Sequence, residues 1–381
     1  MEDIDKNVVA LGWVSFFTDM ASSMITSILP IFIVYILHEG VDKLGYVVAI
    51  ATFVSYAFRI LFGYLSDRYQ RAKPFVVTGY ALSALSKPLF YYAHNWIDIA
   101  IIRSVERLGK AIRSATKDSL IASYAGGKSG KTFGFHKMMD VAGEMSGAII
   151  AFLVLYFLGK NEAIFRNLFA LSLIPGLLAV GIVIFYVKDM PSRHKKIAYD
   201  LKSDLALLPV LLIYFAYLFF IFNDSFFIVE AKESGIGIEY IPLFAILLNF
   251  VQTATSLYLG IKIDRFGYAV VLGISFLLGI LAMISLSLHW VVLAFIFLGL
   301  FTVGSLNAIR SFVSDRARNK GTVYGVLYAG IALFSSLGAA VMGWIWEHYG
   351  ERTGVELSIA GLVLVTALFY LHKWSTREKI V

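Results

Sequence analysis

The 381 residues are 59% hydrophobic and only 15% charged, with a formal net charge of +7 and no cysteine. Soluble globular chains carry roughly a quarter charged residues, so a water-facing surface wrapped round a single core is excluded. The missing cysteines remove disulfides, thiolate metal sites and cysteine nucleophiles from consideration.

A helix needs about 20 apolar residues to cross the ~30 Å hydrocarbon layer. Apolar runs bounded by charged or Gly/Pro-rich breaks predict spans at 8–37, 44–65, 74–93, 96–122, 131–158 and 164–187. A second set follows at 205–230, 238–261, 267–287, 289–314, 320–348 and 352–373. The first run is too long for the apolar region of a signal peptide and is expected to stay as span 1. The fold class expected is therefore an all-α membrane protein of twelve transmembrane helices. If the chain starts inside the cell, cytoplasmic segments hold twenty of its 33 basic residues and the opposite loops five. That bias puts both termini in the cytoplasm and the protein in a cell membrane, plasma or inner. It also accounts for the positive charge, so the lipid bilayer rather than nucleic acid is the expected partner.

One long polar interruption, KDMPSRHKKIAYDLKSD at 188–204, divides the chain into residues 1–187 and 205–381. The two parts repeat one another. Gly63, Asp67 and Arg68 recur as Gly260, Asp264 and Arg265, and Arg113 and Asp118 recur as Arg310 and Asp315, each at an offset of 197. Two six-helix bundles of the same orientation follow. Parallel repeats with a substrate site between them near the bilayer midplane describe one architecture of secondary transporters.

Charges inside spans are costly and mark pathways. Span 1 offers Asp19 beside Thr18 and Ser22. Span 4 carries Arg103, Glu106, Arg107, Lys110 and Arg113 along one stripe, with Glu106 and Lys110 spaced to pair on the helix itself. Span 5 offers His136, Asp140 and Glu144 four apart on one face. At 1.5 Å per residue Asp19, Asp140 and Glu106 all reach about 14–16 Å depth, near the midplane. Asp19, Asp140, Glu144 and His136 are the candidates for proton binding; the competing reading has the carboxylates only neutralising the cations of span 4. The three span 5 residues also have a metal-like spacing, but so many cations make a poor trap for a divalent ion, and no metal is expected. Arg103, Glu106 and Arg107 are candidates for contact with substrate. In the second half Asn223, Asp224, Asn249 and Asn307 join them, with Gln252, Tyr214, Tyr217 and Tyr258 as further polar groups or, equally, core packing. Gly143 and Gly147 form a small-xxx-small pair for close helix contact.

The segment GYLSDRYQRAK resembles the signature of the major facilitator superfamily, a glycine, an aspartate four later, then an arginine and further basic residues. Gly63, Asp67, Arg68, Arg71 and Lys73 match it, and Gln70 departs where glycine is usual. FFTDMASSM, ERLGKAIRSATKDSLIA and GKTFGFHKMMDVAG extend the resemblance to a prokaryotic branch of uncharacterised permeases. In that family the signature is read as a cytoplasmic latch. The resemblance therefore implies a latch of Gly63, Asp67, Arg68, Arg71, Arg113 and Asp118, with Gly260, Asp264, Arg265, Arg310 and Asp315 as its second copy. Span 5 keeps part of the family's antiporter signature, although Ala148 stands where proline would follow Gly147.

The expected function is alternating-access transport of a small solute, driven by an ion gradient of protons without another cofactor, as efflux by antiport. Proton-coupled uptake of an anionic metabolite is the alternative. A monomer is expected. An intramembrane enzyme lacks support, since there is no HExxH and no soluble catalytic domain; no residue is assigned a catalytic role. An ATP-driven pump would need a GxxxxGK[ST] sequence, and the chain has none.

Overall fold

The computed structural model describes residues 5–69, 71–124, 129–189, 202–317 and 320–378. No strand occurs among them. Chain order gives α1 (Lys6–Thr26), α2 (Val41–Tyr69), α3 (Lys73–Ser86), α4 (Trp96–Tyr124), α5 (Ser129–Leu158), and α6 in two pieces, α6a (Glu162–Leu171) and α6b (Leu173–Tyr186). There follow α7a (Leu208–Phe220), α7b (Asp224–Glu233), α8 (Ile241–Phe266), α9 (Tyr268–Ser287), α10 (Val291–Arg316), α11 (Lys320–Tyr349) and α12 (Glu351–Glu378).

Ten of these helical segments are long and apolar enough to cross a membrane. The other two of the expected twelve are α3 and α4, for separate reasons. α3 has only 14 α-helical residues before Pro88 tightens the chain into a 3-10 turn, Lys87–Tyr92. α4 is 29 residues long but carries the charged stripe. Large side chains such as Phe157, Phe185 and Leu257 point outward, the arrangement expected where lipid rather than water surrounds the chain.

The first span of each half is broken, where the apolar runs predict continuous helices. α1 opens with Asp5 accepting the Asn7 N–H at 2.7 Å and runs to Thr26. The helix resumes at Leu29–Ile31, where Pro30 stands in the first turn and needs no N–H partner, and ends in a π-turn, Phe32–Ile36. α7 breaks at Ile221–Asn223, where Ile221 is extended and Asn223 caps α7b by accepting the Ser225 N–H at 3.0 Å.

The described helices pack in two compact units. Unit 1 comprises Met1–Glu39, Ile50–Lys195 and Gly237–Ile246; unit 2 comprises Gly40–Ala49, Lys196–Ile236 and Leu247–Val381. Within unit 1, α1 lies along α5 and α6b, and α3 along α4 and α6b. Within unit 2, α7a lies along α11 and α12, and α9 along α10 and α12. Adding six to each helix number converts the first set into the second, so the packing repeats as the sequence does.

The closest approaches need glycine. A Cβ on Gly143 would stand 2.2 Å from the Phe16 carbonyl oxygen, and one on Gly147 2.2 Å from that of Met20. A Cβ on Gly338 of α11 would stand the same 2.2 Å from the Phe219 carbonyl oxygen of α7a. The small-xxx-small pair read from span 5 thus works as expected, fitting α1 directly onto α5.

Candidate functional site: a charged column in unit 1

α4 has residues three or four apart on one stripe, so its charges share a face by helix geometry alone. Arg103 and Glu106 are buried, 7% and 2% exposed, and form an ion pair. The Arg107 Nε lies 3.9 Å from the same carboxylate. Of the two partners that helix spacing offers Glu106, it turns back one turn to Arg103 rather than on to Lys110, which is exposed. The charges acting most strongly on Lys110 are Arg107, Asp19, Arg113 and Glu144.

α1 and α5 bring the remaining predicted residues to this column. His136 is buried; its Nε2 lies 2.9 Å from the Ser15 hydroxyl and its Nδ1 3.3 Å from Asp140 Oδ1. Lys117 of α4 donates to the same Ser15 hydroxyl at 3.4 Å. Ser15 therefore joins three helices, a role that nothing in its place along span 1 suggests. Asp19 and Glu144 are half-buried, and neither forms a hydrogen bond or ion pair with another described residue. Among the charges acting on Glu144, Asp19 is foremost, followed by Lys137, Lys110 and Asp140.

Lys87 was missed. Its side chain is fully buried, and Nζ donates to Ser83 Oγ at 3.3 Å and to the Thr18 carbonyl at 3.5 Å, with Glu106 and Asp19 as the opposite charges acting on it. The signal was available, because Lys87 is the only basic residue well inside the apolar run of span 3. Three buried atoms of the column, Thr18 Oγ1, Arg113 Nε and Asp140 Oδ1, have no hydrogen-bond partner among the described residues. The column holds seven cations (Lys87, Arg103, Arg107, Lys110, Arg113, Lys117 and Lys137) against four carboxylates (Asp19, Glu106, Asp140 and Glu144). Such an arrangement can hold a polar or anionic solute and exchange protons at carboxylates that lack a fixed partner.

Unit 2 is plainer. Asn223 and Asp224 are exposed at the α7 break, where Asn223 serves as the cap, and Asn249 and Gln252 are half-buried. Asn307 donates to Ser256 Oγ at 3.4 Å. Tyr217 donates to the Phe276 carbonyl at 2.6 Å and stacks on that ring at 4.1 Å, so its hydroxyl ties α7a to α9. Tyr258 lies under the Lys262 ammonium at 5.0 Å.

The latch residues divide similarly. Gly63, Asp67 and Arg68 are in α2, with side chains outside the described residues, and Arg71 is exposed ahead of α3. Arg113 is buried with its guanidinium 4.2 Å over the Tyr80 ring. Asp118 pairs at 3.3 Å with Arg59 of α2, which lies outside the signature. Asp189, also unanticipated, accepts the Ala72 and Lys73 N–H groups at 3.1 and 3.0 Å and so closes the start of α3. In the second copy Asp264, Arg265 and Arg310 are exposed, Arg310 stands 5.7 Å over the Tyr328 ring, and Asp315 accepts from Ser311 Oγ at 3.1 Å. A Cβ on Gly260 would meet nothing within 4 Å.

The chain is similar to an uncharacterised MFS-type transporter of Methanocaldococcus jannaschii, 29% identical over 97% of this chain and 96% of that one. It is also 25% identical to an uncharacterised protein of Mycobacterium tuberculosis, over 84% of this chain and 83% of the other. Among solved structures, the nucleoside transporter NupG superposes with a TM-score of 0.79 at 13% identity, covering 96% of this chain and 99% of that one. The D-xylose-proton symporter superposes with a TM-score of 0.72 at 16% identity, covering 95% and 96%. The profile of the Major Facilitator Superfamily matches residues 11–339. A repeated helix packing, a charged column within spans and that match over most of the sequence make this chain a membrane transporter of the Major Facilitator Superfamily.

Proposed function

We propose that this transporter couples solute movement to protons and that Asp19 and Glu144 are the coupling pair. The observation that carries the reading is their arrangement: two half-buried carboxylates in each other's field, neither fixed by a cation at ion-pair distance among the described residues. Such carboxylates repel one another unless a proton or a cationic group of a solute comes between them. Competition between those two occupants is the elementary requirement of antiport, and efflux by proton antiport is the direction favoured. Glu106, already held by Arg103, acts instead as an anchor of the column. His136 and Asp140 form the adjoining relay through Ser15.

A second reading has its own support. Cations outnumber carboxylates in the column, and Lys87 and Arg113 are buried without a carboxylate at ion-pair distance among the described residues. Uptake of an anionic metabolite by proton symport follows if these groups receive the substrate. In both readings the halves are residues 1–187 and 205–381 about the linker 188–204, most of which lies outside the described residues, and the termini are cytoplasmic by charge bias. The protein works as a monomer in a cell membrane, without a metal or organic cofactor in the transport step.

The test is the pH inside proteoliposomes containing the purified protein while cationic, anionic and neutral solutes are added. Proton movement dependent on one solute class, lost in Asp19→Asn and Glu144→Gln, is the expected result. Solute uptake without proton movement, unchanged in both variants, would refute the coupling.

A further inference from the structure

Away from the charged column, three side chains of unit 2 converge from distant parts of the sequence. Glu230 lies in the last turn of α7b, His289 in the turn between α9 and α10, and Glu351 opens α12. One ligand atom from each, two carboxylate oxygens and a ring nitrogen, lie within 4.8 Å of one another. In a twelve-span chain these positions share the membrane face opposite the termini.

The local backbone aims the groups inward. His289 adopts a left-handed φ of 58°, closing the turn through its own N–H to the Leu286 carbonyl and the Trp290 N–H to that of Ser285. Gly350, at φ +87°, turns the chain between α11 and α12 and leaves Glu351 as the first helical residue. Glu230 is fully buried. Its Oε1 accepts from Ser234 Oγ at 2.9 Å and lies 2.6 Å from His289 Nδ1, but its Oε2 has no hydrogen-bond partner among the described residues. Glu351 faces that carboxylate. Two ionised carboxylates are both acceptors, so their charge must be offset by a shared proton, by the His289 imidazolium or by a bound cation; no lysine or arginine forms an ion pair with Glu230 among the described residues.

We propose that Glu230, His289 and Glu351 bind a divalent transition-metal cation of the zinc type, joining the ends of α7, α9 and α12. One imidazole and two carboxylates suit zinc better than calcium or magnesium, which take oxygen ligands alone. Ligands about 2.0–2.1 Å from a tetrahedral ion stand roughly 3.3 Å apart. The His289 ring must therefore withdraw slightly from Oε1, which its exposed position on a turn allows. Three protein ligands leave a fourth position for water. The cation orders the outer end of the C-terminal half and takes no part in the unit 1 column.

The full-length protein, purified in detergent with a non-histidine affinity tag and stripped by chelator, would be titrated with Zn2+ by calorimetry and with Co2+ by visible ligand-field absorption. One equivalent per chain is expected, with a raised thermal midpoint that Mg2+ does not reproduce. His289→Ala, an exposed change, and Glu351→Gln should each weaken binding more than about ten-fold, since even outer-shell changes cost roughly 10–100-fold. His136→Ala, in the other column, should leave binding intact. Absence of saturable binding, binding retained in both His289→Ala and Glu351→Gln, or a midpoint that follows pH and ignores Zn2+ would each overturn the site; the last would make the cluster a proton site only.

Discussion

Replacing Gly143 by alanine tests the packing that holds the charged column together. The new Cβ would lie 2.2 Å from the Phe16 carbonyl oxygen. Relaxed C···O contacts start at about 3.3 Å, so the α1 and α5 backbones must part by about 1 Å. The obstacle is main chain on both sides, and no side-chain rotation relieves it. Overpacking of this kind costs about 1–3 kcal/mol. Two turns away on the same face of α5, the 2.9 Å contact between His136 and Ser15 would stretch beyond hydrogen-bond range and add about 1 kcal/mol. The expected loss is thus about 2–4 kcal/mol, read as a thermal midpoint lower by several degrees in detergent. Gly260→Ala is the matched control, because nothing lies within 4 Å of its Cβ. It should be neutral or slightly stabilising, since alanine is the better helix former by about 1 kcal/mol. Equal midpoints for the two variants would refute the close-approach argument.

Removing the hydroxyl in Tyr217→Phe deletes the bond to the Phe276 carbonyl and should lower stability by about 1 kcal/mol while leaving apparent substrate affinity unchanged; altered affinity in transport assays would return Tyr217 to the binding residues. Arg59→Ala should change stability by under about 1 kcal/mol, because the pair with Asp118 is partly exposed. The same variant should alter transport rate if that pair acts in the cycle, and flux measurements in proteoliposomes decide it. The hydrogen bond from His289 to Glu230 holds the imidazole above its usual pKa, and a metal must displace that proton. Zn2+ affinity should therefore rise with pH through the imidazole titration and fall as pH is lowered, a trend that calorimetry at several pH values checks.

Much of this architecture was legible from residues alone. Apolar runs of the right length marked the spans because the bilayer sets a length that composition must meet. The 197-residue offset from Gly63 to Gly260 and from Arg113 to Arg310 foretold the doubled helix packing. The α4 stripe was readable because charges in a span stand out against lipid, and Gly143 and Gly147 announced a close helix contact, whose partner α1 only the structure supplied. The column's partners were not readable. When lipid is as apolar as the protein interior, a hydrophobic period no longer tells the inner face from the outer one. Phase in the helix left open whether Glu106 turned toward Lys110 or Arg103, and it hid Lys87 within an apolar run. The breaks in α1 and α7 have weak local signals, a proline and an asparagine, whose effect depends on what packs beside them. Glu230, His289 and Glu351 are 59 and 62 residues apart in succession, and only the folding of α7b, the α9–α10 turn and α12 into one corner makes a site of them. Sequence determined which segments enter the membrane, because transfer from water to lipid is a property of each segment. Tertiary structure decided which polar groups meet there, because a buried charge takes its partner from whichever helix the packing brings near.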